Sequence, residues 1–125
     1  MAQKLLFAGG LFNGFFTLFH LFLGWQIQGL TNLPPAQQAM MQELNIGSLL
    51  MLAFFTVASL FCANDLLTTR LGKTTLVFTV IFYAARAGAE IVLAPRFSGL
   101  IFGACLLAAL LSLLSIFTNR KTNAG

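Results

Sequence analysis

The sequence predicts an all-α, polytopic membrane protein: an antiparallel bundle of four transmembrane helices, with a short interfacial helix between the first two. Of its 125 residues, 58% are hydrophobic and 8% are charged, whereas about a quarter are charged in a soluble domain. Four apolar runs reach the roughly 20 residues that a helix needs to cross a bilayer. They occupy nearly all of the chain, so we expect one membrane domain over residues 1–125 and no soluble catalytic module.

The first span, at about residues 5–28, is rich in phenylalanine. Its small and polar side chains recur mainly at steps of three and four, which places them on one helix face. These are Gly10, Asn13, Gly14, Thr17, His20, Gly24 and Gln28. We expect this face to point inward. The long apolar run has no convincing cleavage site, which predicts a retained span instead of a signal peptide.

The only long connection follows the first span. Pro34 and Pro35 favour the start of a helix, and apolar side chains at helical spacing predict a short interfacial helix over residues 36–44. An irregular loop is the alternative. The second span is expected at about residues 45–67, with Asn45 as its N-cap.

A polar turn at residues 68–74 and a second turn at residues 95–98 separate the remaining spans, expected at about 75–94 and 99–117. Residues 118–125 are expected to form a frayed tail. With these spans, five basic residues lie on one side of the membrane: Lys4, Arg70, Lys73, Arg120 and Lys121. Arg96 alone lies on the other side. This excess predicts that both termini are cytoplasmic.

Two charged residues stand inside the third span. Arg86 and Glu90 are spaced i,i+4 and therefore share a helix face, and Tyr83 precedes them on the same face. A charge that faces lipid costs about 2.5–3.5 kcal/mol even on translocon-insertion scales. We therefore expect this face to point into the protein or into a wet cavity.

Counting from the outer span ends at about 1.5 Å per residue places His20 and Arg86 roughly 12 Å deep, and Ser48 and Glu90 roughly 5 Å deep. The candidate binding cluster comprises Asn13, His20, Asn45, Ser48, Tyr83, Arg86 and Glu90. One interpretation is structural: the charges neutralise each other and the cluster specifies helix packing. The other is a pocket for an anion, a proton or a polar head group, in which His20 could titrate.

Several chemistries are disfavoured. His20 is the sole histidine, so haem ligation would need a methionine such as Met51. Cys62 and Cys105 are expected to lie about 15 Å apart in depth by the same helical rise, too far for a disulfide. We find no zinc, iron–sulfur or phosphate-loop motif, and we predict no cofactor, no metal and no enzymatic activity. The basic residues form no nucleic-acid patch.

In size and span count the chain resembles small multidrug-resistance transporters and double-barrelled fluoride channels, but the first span has Asn13, Phe16 and His20 where the former resemblance requires a glutamate. The pattern from Phe19 and His20 to Arg86-x-x-x-Glu90 is similar to small bacterial four-helix membrane proteins. That likeness implies a bacterial inner membrane. We expect an accessory or interaction protein that contacts lipids and packs as a homo-oligomer or against other membrane subunits. The alternative is a small oligomeric transporter or channel.

Overall fold

The computed structural model describes residues 1–93 and 98–122, the last three of these by their backbone alone. All of the regular structure in these ranges is helical: α1 (Ala2–Gln28), α2 (Pro35–Phe61), α3 (Ala63–Thr68), α4 (Arg70–Val92) and α5 (Gly99–Thr122). Four of the helices, α1, α2, α4 and α5, are long and apolar enough to cross a membrane. This confirms the predicted helical class and indicates an integral membrane protein.

The predicted interfacial helix is wrong as a separate element. A single helix begins at Pro35, whose fixed φ suits the first turn, and continues without a break to Phe61. Asn45 is therefore not an N-cap but lies ten residues inside α2, about 15 Å along its axis. The alternative of an irregular loop is wrong for the same reason. The short connection that remains is residues 29–34.

The predicted second span is interrupted. The backbone leaves the helical path at Cys62, where φ is −115° and ψ is 26°, and the short α3 follows. The predicted polar turn at residues 68–74 is also wrong, because Thr69 starts a new helix there. Its hydroxyl accepts a hydrogen bond from the Gly72 amide at 2.9 Å and donates one to the Asp65 carbonyl at 2.8 Å. This single side chain ends α3 and caps α4.

At Gly72 the absence of a side chain lets two helices lie in close contact. An added Cβ would overlap backbone atoms of Asp65 and Leu66 in α3. Because backbone atoms cannot rotate away, only glycine allows α4 to pass so close to α3.

The core is built in two clusters. The larger joins α2, α4 and α5 through Leu52, Phe55, Tyr83, Ala87, Cys105, Ala108 and Ala109. The smaller lies where α3 packs on the ends of the long helices, and contains Ala2, Leu6, Ala58, Leu66, Leu67 and Leu76. Both cysteines are free, as predicted, but only Cys105 is buried and Cys62 is exposed.

The last helix is longer than predicted. It continues to Thr122, so the expected frayed tail is helical for its first five residues, and Asn119 donates to the Leu67 carbonyl at 2.8 Å. The predicted turn at residues 95–98 falls mostly outside the described residues, as do the side chains of Arg96, Arg120 and Lys121 and the final three residues.

Candidate functional site

Three amide side chains of α2 connect that helix to the backbone of α1. Their spacing of four and three residues places them on one helix face. Each donates to carbonyl oxygens of α1: Gln38 to Ile27 at 2.9 Å and Gln28 at 3.1 Å, Gln42 to Gly24 at 2.7 Å, and Asn45 to His20 at 3.0 Å. We call Gln38, Gln42 and Asn45 the amide ladder. It holds the first half of α2 against α1.

Asn45 also fixes the state of the histidine ring. Its Nδ2, which can only donate, bonds the His20 carbonyl, so its Oδ1, which can only accept, is the atom 2.8 Å from His20 Nδ1. Nδ1 must therefore carry a proton. Of the two neutral tautomers, the hydrogen-bond network selects the one whose lone pair is at Nε2. In that tautomer, Nε2 is a hydrogen-bond acceptor.

Small residues of α1 make this close approach possible. A Cβ on Gly24 would lie 2.9 Å from Nδ2 of Asn45, and one on Gly10 would lie 2.7 Å from Leu60 Cδ2. Contacts as short as these are essentially never seen for real Cβ atoms, so a larger residue would force the Asn45 or Leu60 side chain to move. Gly10, Gly24 and His20 of the stripe that the sequence predicts as the inward face of the first span therefore pack on α2.

Asn13 and Tyr83 form the deepest polar contact between α1 and α4. The tyrosine hydroxyl donates to Asn13 Oδ1. Tyr83 is only 2% exposed and Asn13 only 3% exposed. The Tyr83 ring packs edge-to-face on Phe82, with centroids 5.4 Å apart. A buried phenol needs such a partner, because an unsatisfied hydroxyl costs about 1–3 kcal/mol.

Arg86 and Glu90 form the ion pair that their spacing predicts. Arg86 Nη1 lies 3.0 Å from Glu90 Oε2, and the other carboxylate oxygen accepts the backbone N–H of Ser98 at 3.0 Å. Ser98 immediately precedes α5, and its hydroxyl accepts from the Ile101 amide at 3.4 Å. Glu90 therefore neutralises a cation of its own helix and anchors the start of the next helix.

The two charged side chains differ in exposure. The Glu90 side chain is 6% exposed, whereas that of Arg86 is 45% exposed. The carboxylate is therefore the buried member of the pair, and the guanidinium keeps N–H donors directed away from it.

A cavity of about 70 Å³ lies between the helices at this level. Its polar lining comes from His20, Ser48, Tyr83 and Arg86, and rings such as Phe16 and Phe82 close it. At about 30 Å³ per molecule, it has room for about two waters. Four of the seven predicted site residues therefore converge on one space. Asn13, Asn45 and Glu90 contact members of this group but do not line the cavity.

Comparison with protein-family models, with curated proteins and with solved structures found no match. Among the described residues, no group of three or more His, Cys, Asp or Glu side chains could hold a metal ion.

Gln38 and Gln42 were not among the predicted site residues, because residues 36–44 were expected to form a separate interfacial helix. The signal was present as the spacing of Gln38, Gln42 and Asn45, which places three amides on one face only if the helix is continuous through Asn45. Thr56 was also missed; its hydroxyl lies 3.4 Å from that of Thr17 across the same helix pair.

Proposed function

We propose that this chain is a small integral membrane accessory protein, an antiparallel four-helix bundle that packs against a second copy or a larger membrane complex. The observation that carries the proposal is the use of its polar side chains. The amide ladder, Asn13, Tyr83 and Glu90 all bond within the bundle. Groups engaged in this way specify helix packing and leave few donors or acceptors for a ligand.

The outer surface supports the same proposal. An open apolar groove of about 450 Å³ separates α2 from α4, with Phe55 and Phe82 in contact at its base. Its walls carry Met51 and Phe54 on α2 and Phe78 and Ile81 on α4, all of them exposed. We propose that a helix of the partner fills this groove. The proposal includes a bacterial inner membrane with both termini cytoplasmic, the orientation that the excess of basic residues predicts, and it assigns no catalysis.

Purification in a mild non-ionic detergent, followed by mass measurement, tests this function. We expect a mass above that of the 13.5 kDa chain, reduced toward the monomer in Phe78→Ala. Leu107→Ala is the matched control, because Leu107 is also an exposed apolar residue but lies on α5, away from the groove. A lone monomer for the unsubstituted chain would contradict the proposal.

A second candidate function, a small oligomeric transporter or channel, is favoured by the cavity at His20. Nε2 of His20 as acceptor and the free donors of Arg86 could pass a proton or hold an anion there. Reconstitution in vesicles loaded with a pH-sensitive dye would test it. Flux that is lost in His20→Gln, with bundle stability retained, would favour transport over the accessory function.

A further inference from the structure

A broadly open cavity lies at the opposite end of the bundle from the amide ladder. It measures about 440 Å³ and lies between the first turns of α1 and the junction of α2 with α3. The break in the helical path at Cys62 falls between Phe61 and Asn64, which both line it. Gln3, Lys4 and Phe7 line one side, and Leu60, Phe61 and Asn64 line the other.

Polar and apolar groups are ordered in the same way on both sides of this cavity. On α1, Lys4 stands at the chain end and Phe7 lies one turn further into the helix. On the other side, Asn64 lies in α3 and Phe61 is the last residue of α2. The cavity therefore has a polar end with an ammonium group and an amide, and an apolar end with two exposed rings, of which Phe61 is 80% exposed.

We propose that this cavity binds one anionic phospholipid. The phosphate would contact the Lys4 ammonium and the amide side chain of Asn64, and an acyl chain would lie against Phe7 and Phe61. Charge complementarity selects the anionic class, because Lys4 is the charged residue of the lining and no carboxylate of the described residues lines the cavity. Juxtamembrane lysines attract anionic lipids in this way.

Lys73 supplies the matched control. It is a lysine on the same predicted side of the membrane, but the cavity that it lines is only about 70 Å³, too small for a phospholipid head group. A lipid held by general attraction to positive charge would respond equally to the loss of either lysine. A lipid held in the larger cavity would respond to Lys4 alone.

Native mass spectrometry of the full chain tests the proposal. The protein is extracted from vesicles of equal parts phosphatidylglycerol and phosphatidylcholine, and the ratio of lipid-bound to free protein is recorded. We expect one phosphatidylglycerol to be retained preferentially. Lys4→Gln should lower this ratio about five-fold, the contribution of one lysine near the surface, and Lys73→Gln should leave it unchanged within a factor of two. Lys4 is exposed, and a thermal melt of each variant confirms that it folds.

Three results would overturn the proposal. Equal losses in Lys4→Gln and Lys73→Gln would show that net charge alone retains the lipid. Equal retention of the two lipids would show that the cavity does not select charge. Displacement of the lipid by millimolar soluble glycerol phosphate, with no need for an acyl chain, would assign the cavity to free phosphate esters.

Discussion

Glu90 performs two separable tasks, so two substitutions at this position should differ in cost. Glu90→Gln removes the charge opposite Arg86 but keeps a side-chain oxygen for the Ser98 amide. A hydrogen bond to a charged group contributes about 1.5–3 kcal/mol and a neutral one about 0.5–1.5 kcal/mol. Because Arg86 is 45% exposed, we expect a loss within that difference and below the cost of breaking a fully buried pair, about 1–2 kcal/mol in the free energy of unfolding.

Glu90→Leu removes both tasks. It leaves the Ser98 N–H without its acceptor, which adds about 1–3 kcal/mol if that amide finds no other partner. The two costs together come to about 2–5 kcal/mol, which overlaps the roughly 3–5 kcal/mol expected when one partner of a buried ion pair is removed. The variant should therefore unfold at clearly lower denaturant than Glu90→Gln.

The assay is unfolding in mixed micelles by increasing dodecyl sulfate, followed by circular dichroism, and analysed as a double-mutant cycle with Arg86→Leu. We expect Arg86→Leu to recover part of the stability that Glu90→Gln loses, with a coupling energy of about 1–2 kcal/mol. Equal costs for Glu90→Gln and Glu90→Leu would refute the role of the Ser98 contact. A coupling energy near zero would refute the pairing with Arg86.

Three further predictions concern packing and topology. Gly72→Ala should destabilise the protein by more than about 3 kcal/mol, because the new Cβ would overlap backbone atoms. Gly88→Ala has open space at its Cβ and should stabilise the protein by up to about 1 kcal/mol. Thermal melts of the two variants test both expectations. Asn45→Leu should lower the free energy of unfolding by about 1–2 kcal/mol, because it removes two interhelical hydrogen bonds that contribute about 0.6 kcal/mol or more each. A smaller loss in the dodecyl sulfate titration would contradict the role of Asn45 in holding α2 against α1. A reporter active only in the cytoplasm should give signal when fused to either terminus, and silence at one terminus would overturn the predicted topology.

The parts of the site that could be predicted from the sequence are local ones. Arg86 and Glu90 pair because residues four apart on a helix are neighbours whatever surrounds them. The inward stripe of α1 was visible for the same reason, since helical periodicity alone groups His20 with Gly24. These inferences required no knowledge of the neighbouring helix.

The errors arose where a residue has two uses that only tertiary structure can distinguish. Asn45 is a good N-cap and an equally good interhelical donor, and the choice of a cap divided one continuous helix into two. Thr69 and Gly72 resemble a polar turn by composition, yet the first caps α4 and the second fits against α3. The cavity at Lys4 is lined by residues on both sides of the break at Cys62, and no nearby glycine or proline marks that break in the sequence.

In the amide ladder, different chemical groups hold α1 and α2 together and set their alignment along the helix axes. Gln38 and Gln42 bond main-chain oxygens, and a helix presents such oxygens at every turn. If α2 slid by one turn, about 5.4 Å, toward the start of α1, both glutamines would meet other main-chain oxygens of that helix. These two hydrogen-bonding positions therefore discriminate little between neighbouring alignments.

The imidazole breaks this near-repeat. After a one-turn slip toward the start of α1, Asn45 would face Phe16, which offers a carbonyl but no ring nitrogen, and the bond to Nδ1 of His20 would have no counterpart. The main-chain oxygens of α1 thus hold the two helices together, while the His20 side chain favours one alignment over its neighbour. A chain without that ring would keep the glutamine hydrogen bonds and lose one means of choosing between neighbouring registers.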